Sequence, residues 1–201
     1  TVGSVVYAAV GLPDGVHLVV GVGDGASHGE VRLYHVDGTL VHTFKGHSNY
    51  VWAVAVTRDG KHIISGSDDK PVKVWSVASK SLVSTCGGHT DKVNTVAAMP
   101  DGQRILSGSN DKTVRVWLLD GTHQNTFEPH TSSVLALVAL PDNQHALSAS
   151  VDNTVKLFNV NDGDVLRTFK HHTDHVTCLA LLPDGLRFVS GSHDQTARIA
   201  Y

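Results

Sequence analysis

Histidine, serine and aspartate recur together in this 201-residue chain in an order that invites a nucleophilic reading. The sets are His47, Ser65 and Asp69; His89, Ser107 and Asp111; His130, Ser148 and Asp152; and His172, Ser190 and Asp194. A serine hydroxyl beside an imidazole, itself oriented by a carboxylate, is the arrangement that drives acyl transfer. Two features point to structure instead. A catalytic site is normally built once, whereas this set recurs. Trp75 and Trp117 complete two of the copies, and an indole N–H has no role in such a triad.

Three other groupings suggest chemistry. Gly21-Val22-Gly23-Asp24-Gly25-Ala26 follows a strand-like stretch and matches a dinucleotide-binding pattern. That pattern needs a helix next, to hold the pyrophosphate at its N-terminus. The next residues, Glu30 to Tyr34, alternate as a strand, so these glycines read as a widened hairpin turn. Fourteen histidines raise the question of a metal, and His171, His172, His175 and His193 gather in the last fifth of the chain. No tight Cys/His pairing of the zinc-module kind accompanies them, and we expect no metal and no cofactor. Cys86 and Cys178 fall in distant segments and are expected as two free thiols.

The elements that must position these residues follow one period. Asp14, Asp59, Asp101, Asp142 and Asp184 mark turns 45, 42, 41 and 42 residues apart, four of them in Pro-Asp contexts. The histidines at 47, 89, 130 and 172 keep the same phase, as do Ser65-Gly66-Ser67, Ser107-Gly108-Ser109, Ser148-Ala149-Ser150 and Ser190-Gly191-Ser192. Between markers the apolar residues alternate, the signature of short antiparallel strands joined by hairpins. In the third period, strands are expected near Val93–Ala98, Arg104–Gly108, Val114–Leu118 and His123–Phe127. No window carries a helical stripe. Composition agrees: 17 of 19 acidic residues are Asp, which favours turns, and the 30 valines favour strands.

Gly46-His47, Asp59-Gly60 and Ser65 to Trp75, with Gly88-His89 to Trp117, resemble the WD40 family. The resemblance covers the whole chain. It implies an all-β propeller of four-stranded antiparallel blades, with repeats at about 1–45, 46–87, 88–128, 129–170 and 171–201. The last repeat stops short of a fourth strand, so the expectation is a partial ring of five repeats within one of about seven blades. The resemblance also implies that each His–Ser–Asp–Trp set is a buried hydrogen-bonded chain. The His would lie in the loop before the first strand, the Ser on the second, the Asp in the following turn and the Trp on the third. Phe158 and Ala200 replace the Trp in the fourth and fifth repeats, and the first keeps only Asp24, with Val20 at the Ser position and Tyr34 at the Trp position. The middle repeats are therefore expected to be the most rigid and the first the softest.

With the polar sets assigned to structure, function is expected on a surface. In the family, the rim around the channel engages peptides and domains. Carried over repeat by repeat, the rim positions are Tyr50, Trp52 and Asp68; Lys92, Asn94 and Asn110; Ser133, Leu135 and Val151; and His175, Thr177 and His193. Tyr50 and Trp52 suit anchoring a partner; alternatively Trp52 packs between blades. The implied function is a non-catalytic scaffold for a protein or peptide partner inside the cell. The alternative is a targeting or regulatory propeller attached to a catalytic domain. Sixteen Lys and Arg against 19 acidic residues, scattered singly, disfavour nucleic acid and anionic lipid. The longest apolar run, Val134 to Leu140, is too short to span a membrane. No small-molecule substrate is expected.

Overall fold

Alternating valine-rich runs, each broken by an Asp-containing turn, can satisfy their backbone groups only by pairing with the next run along the chain. The computed structural model describes residues 4–24 and 28–201, and shows this pairing repeated five times with no helix among the described residues. The first sheet holds β1 (Val5–Gly11), β2 (His17–Gly23), β3 (Gly29–His35) and β4 (Leu40–His47). The second holds β5 (Val51–Val56), β6 (His62–Ser67), β7 (Val72–Ser76) and β8 (Ser81–Cys86). The third comprises β9 (Val93–Ala98), β10 (Arg104–Ser109), β11 (Val114–Leu118) and β12 (His123–Phe127). The fourth comprises β13 (Val134–Ala139), β14 (His145–Ser150), β15 (Val155–Asn159) and β16 (Val165–Phe169). The fifth holds β17 (Val176–Leu181), β18 (Phe188–Ser192) and β19 (Ala197–Ala200). Every pairing is antiparallel between sequence neighbours, and the strands expected in the third period agree within one residue.

The turns explain the Asp excess. Asp101 Oδ1 accepts the backbone N–H groups of Gln103 and Arg104 at 2.8 and 3.0 Å, and Asp142 and Asp184 do the same for the two equivalent residues. The residue after each turn Asp has a positive φ, 67° at Gly102 and 62° at Asn143. That region favours glycine and tolerates asparagine, which is why Asn143 can stand in the fourth turn.

The sheets stack in chain order, β5 on β1, β9 on β5, β13 on β9 and β17 on β13, so the first strand of each sheet lies innermost. The core is accordingly a series of seams between sheets. Trp75 of the second sheet packs with Val19, Val31, Leu33 and Phe44 of the first. Trp117 of the third packs with Ile64, Val72, Val74 and Cys86 of the second. Phe158 and then Phe188 fill the next two seams. Small residues on the second strands let the sheets approach closely: an added Cβ at Gly66 would stand 2.6 Å from Val93 Cγ1 of the next sheet.

His47 does not lie in a loop before a strand; it ends β4 and pairs with Gly29. The longer β3 of the first sheet gives β4 a partner for extra residues, so the strand runs on to the histidine. The glycine-rich stretch is followed by β3 and not by a helix, which removes the dinucleotide reading; Gly25 and Ala26 of that motif lie outside the described residues.

Candidate functional site

Each sheet from the second to the fifth carries the same polar chain. In the third, Trp117 Nε1–H donates to Ser107 Oγ at 2.8 Å, Ser107 Oγ lies 2.8 Å from His89 Nε2, and His89 Nδ1 lies 2.8 Å from Asp111 Oδ2. In the second, Trp75 to Ser65, Ser65 to His47 and His47 to Asp69 measure 2.8, 2.7 and 2.9 Å. A carboxylate can only accept, so Nδ1 carries the imidazole proton and Nε2 accepts from the serine hydroxyl. The aspartates also hold the local backbone: Asp111 accepts the N–H of Thr90 and of Thr113, each at 3.0 Å. His130, Ser148 and Asp152 repeat the chain at 2.8 Å per link, as do His172, Ser190 and Asp194.

These groups are closed to reactants. All four serines are 0% exposed, and each Oγ is already engaged. No substrate carbonyl can reach them, and the arrangement ties strands and loops together.

Where the tryptophan is missing, the structure compensates in ways that depend on cross-strand register. Ile63 pairs with Trp75 and Ile105 with Trp117, but in the last two sheets the pairs are Ala146 with Phe158 and Phe188 with Ala200. In the fifth sheet the aromatic bulk has moved from the third strand to the second, and Phe188 is buried at 2% exposure in the seam that a tryptophan fills elsewhere. The missing N–H is replaced too: His171 Nε2 lies 3.2 Å from Ser190 Oγ. The residue before each network histidine follows the same logic. Gly46 and Gly88 have φ of 151° and 153°, and an added Cβ would lie 3.2 and 3.4 Å from the indoles of Trp75 and Trp117. In the last two repeats, which lack the indole, the position is Pro129 and His171 and its φ is not positive.

Burial shapes the titration of the network. Desolvation holds the imidazoles of His89 and His130 below the ordinary value of 6.5, against the pull of Asp111 and Asp152. Burial acts on Asp111 in the opposite sense, but is outweighed by hydrogen bonds from Thr113 and His89, and its carboxyl falls to about 2. Below pH 6.5 the unfolded chain takes up imidazole protons that the folded chain refuses, so stability falls as pH falls. We predict that urea midpoints begin to drop between pH 7 and 5, before carboxylates titrate, and that His89→Gln flattens part of this slope. A midpoint constant over that range would contradict the assignment. A second loss follows as pH falls from the ordinary carboxylate value of 3.8 through about 2, where Asp111 becomes protonated.

At the rim, the backbone brings the expected residues together in each sheet from the second to the fifth. Asp68 N–H donates to Tyr50 O at 2.9 Å, and Asn110 to Lys92, Val151 to Ser133 and His193 to His175 at 2.9 to 3.0 Å. Trp52 Nε1–H donates to Asp68 Oδ1 at 3.3 Å. Asn94 Nδ2 donates to Asn110 Oδ1 and to Val134 O of the next sheet at 2.8 and 2.9 Å. Leu135 is half-buried beside that row, and Thr177 Oγ1–H donates to Gly191 O at 3.4 Å. Tyr7 was not foreseen. Its ring lies 5.3 Å from that of Tyr50 and 4.6 Å from that of Trp52, while the Lys92 ammonium stands 5.1 Å from the Trp52 ring. Trp52 is half-buried between Tyr7 of the first sheet and Lys92 of the loop before β9, so it packs between blades and also shows part of its ring to solvent. Tyr7 lies in the first repeat, where the markers that would have signalled it are missing.

Cys86 is buried and Cys178 exposed, and both are free thiols; burial pushes Cys86 up to about 11. No helix is long and apolar enough to cross a membrane among the described residues.

Comparison with known proteins places four spans, 38–76, 80–117, 121–159 and 163–199, in the family described as WD domain, G-beta repeat. Each span joins the outermost strand of one sheet to the inner three of the next, so the sequence unit is staggered by one strand from the structural one. The chain is 39% identical over 72 residues to an intraflagellar transport protein 122 homolog of Xenopus tropicalis, covering 35% of this chain and 6% of that protein. It is 40% identical over 65 residues to the human homolog of that name, covering 32% and 5%. It is 51% identical over 41 residues to nuclear distribution protein PAC1 of Candida tropicalis, covering 20% and 8%. The chain thus spans less than a tenth of the length of each of these relatives.

Proposed function

The chain belongs to the WD40 family of WD-domain, G-beta repeats, and from that premise we propose that it is a non-catalytic scaffold whose rim receives a protein or peptide partner. The observation that carries this reading is the patch where three sheets meet. Tyr7, Tyr50 and Trp52 form a packed aromatic group edged by Asp68 and Lys92. Aromatic side chains partly exposed in a polar frame suit interface anchoring, because they contribute large contact area with few rotors to freeze. Tyr50, Trp52, Asp68 and Lys92 supply the anchor. Asn94, Asn110, Ser133, Leu135 and Val151 continue the row, with His175, Thr177 and His193 at its far end.

Burial of every network serine supports a non-enzymatic role. The net charge of −3 supports a protein over a nucleic acid partner. An intracellular setting is supported by the two unpaired cysteines and by relatives named for intraflagellar transport and nuclear distribution.

The test is capture of partners by the full-length protein and by its Trp52→Ala variant, with binding strength and melting temperature measured together. An anchor of this kind contributes more than about 1 kcal/mol, so binding should weaken roughly fivefold or more. The melting temperature should fall too, because Trp52 packs on Tyr7. Lys92→Ala separates the two effects: it should weaken binding and leave the melt nearly unchanged. Undiminished binding in both variants would reject the reading.

A further inference from the structure

At one end of the rim row the repeat pattern is broken by three metal-ligating side chains. Asp174, His175 and His193 each offer a ligand atom, and these atoms all lie within 4.8 Å of one another. The corresponding residues are Asn49, Tyr50 and Asp68 in the second sheet, Asp91, Lys92 and Asn110 in the third, and Ser132, Ser133 and Val151 in the fourth. The fold therefore does not require this combination, since three other sheets build the same backbone without it.

We propose that Asp174, His175 and His193 form a binding site for a late first-row divalent cation such as Zn2+. Two imidazoles and a carboxylate are a donor set such ions accept, and three protein ligands leave further positions for water. The repeating framework fixes the backbone of all three. Ser192 Oγ–H donates to Asp174 O at 2.9 Å, as Ser67 and Ser109 do to Asn49 and Asp91. His193 N–H donates to His175 O at 2.9 Å. The two rings lie 5.6 Å apart and are tilted by 33° to one another. Asp174 Oδ1 accepts the His175 N–H at 2.7 Å and lies 3.7 Å from His175 Nε2.

Metal–nitrogen and metal–oxygen bonds of about 2.1 Å place tetrahedral ligands about 3.4 Å apart. The side chains must therefore close by no more than about 1.4 Å. Rotation about their own bonds achieves this, since Asp174 and His175 side chains are about half exposed and His193 is exposed. Metal binding needs neutral imidazoles, so affinity falls with acidification.

The experiment is calorimetric titration of the full chain with Zn2+ alone, repeated with Co2+ while its visible absorption is followed. We expect one equivalent to bind, with affinity lowered at least tenfold in His175→Asn and in His193→Asn. His171→Asn, which removes the contact with Ser190 Oγ and should melt lower, should still bind as the parent does at a temperature where it is folded, whereas His175→Asn and His193→Asn should melt as the parent does. Absence of saturable uptake would overturn the site. So would uptake undiminished in His175→Asn and His193→Asn, or uptake lost in His171→Asn.

Discussion

Replacing Trp117 by alanine is expected to cost about 3–5 kcal/mol, the range for removing a fully buried large aromatic. Its side chain is 1% exposed and fills the seam formed by Ile64, Val72, Val74 and Cys86 of the second sheet. Alanine leaves a cavity on both sides of that seam, and the sheets cannot close over it because the backbone ladders β10–β11 and β11–β12 hold the strand in place. Against a net stability of about 5–15 kcal/mol for a domain, this is a large share of what holds the fold. Trp117→Phe separates packing from hydrogen bonding. Phe158 occupies the equivalent place in the fourth sheet at 0% exposure, so the ring fits the architecture. What is lost is the 2.8 Å bond from the indole N–H to Ser107, about 0.5–1.5 kcal/mol. Ser107 keeps its other partner, His89 Nε2. Urea unfolding of the two variants should show a wide gap between them. Equal losses would mean that the network, not the seam, carries the energy of this position.

The gap has a bearing on how the chain is read. His89, Ser107, Asp111 and Trp117 were legible in sequence because each makes a local or in-register interaction that recurs at one period, and a period survives in a single sequence. The turn aspartates were legible for the same reason: Asp101 caps the N–H groups two and three residues on, a bond that needs no knowledge of the rest of the fold. What stayed hidden depends on pairing across strands. Ala200 reads as a weak fifth repeat until its cross-strand partner is known to be Phe188, which supplies the missing volume. His171 reads as a spare histidine until Ser190 Oγ is found 3.2 Å away. Tyr7 carries no marker at all, and joins Tyr50 and Trp52 only because β1 packs against β5. The expectation that the fifth repeat is weakened by losing its tryptophan thus meets two compensations invisible to a repeat-by-repeat reading.

The second large effect is expected at Gly108, where the cost comes from too much volume. The site lies on β10 at the seam between the third and fourth sheets. An added Cβ would stand 2.6 Å from Val134 Cγ1, 2.8 Å from Thr95 Cγ2 and 3.2 Å from Leu137 Cδ1. Val134 and Thr95 are β-branched, with little rotamer freedom with which to yield, and Val134 is itself 0% exposed. Gly108→Ala should therefore cost about 1–3 kcal/mol, the range for overpacking a filled core. Gly108→Val should cost more, because its two further methyl groups enter the same space. Gly191 is the matched control. It sits at the equivalent position of β18, across from Cys178 as Gly108 is across from Thr95, yet its added Cβ meets only Cys178 Sγ. That atom ends a side chain that can rotate away, so Gly191→Ala should shift stability by no more than about 0.5 kcal/mol, like a surface change. Ala149 already holds this place in the fourth sheet, opposite the small Ala136, which shows that the backbone geometry admits a methyl group; at Gly108 the space is taken by Val134 of the next sheet and by Thr95 of its own. Chemical denaturation of both alanine variants decides the matter. If they lose the same stability, the cost arises within one sheet. If Gly108→Ala alone loses it, and hydrogen exchange quickens in β13 as well as in β10, the seam between sheets is what the glycine protects.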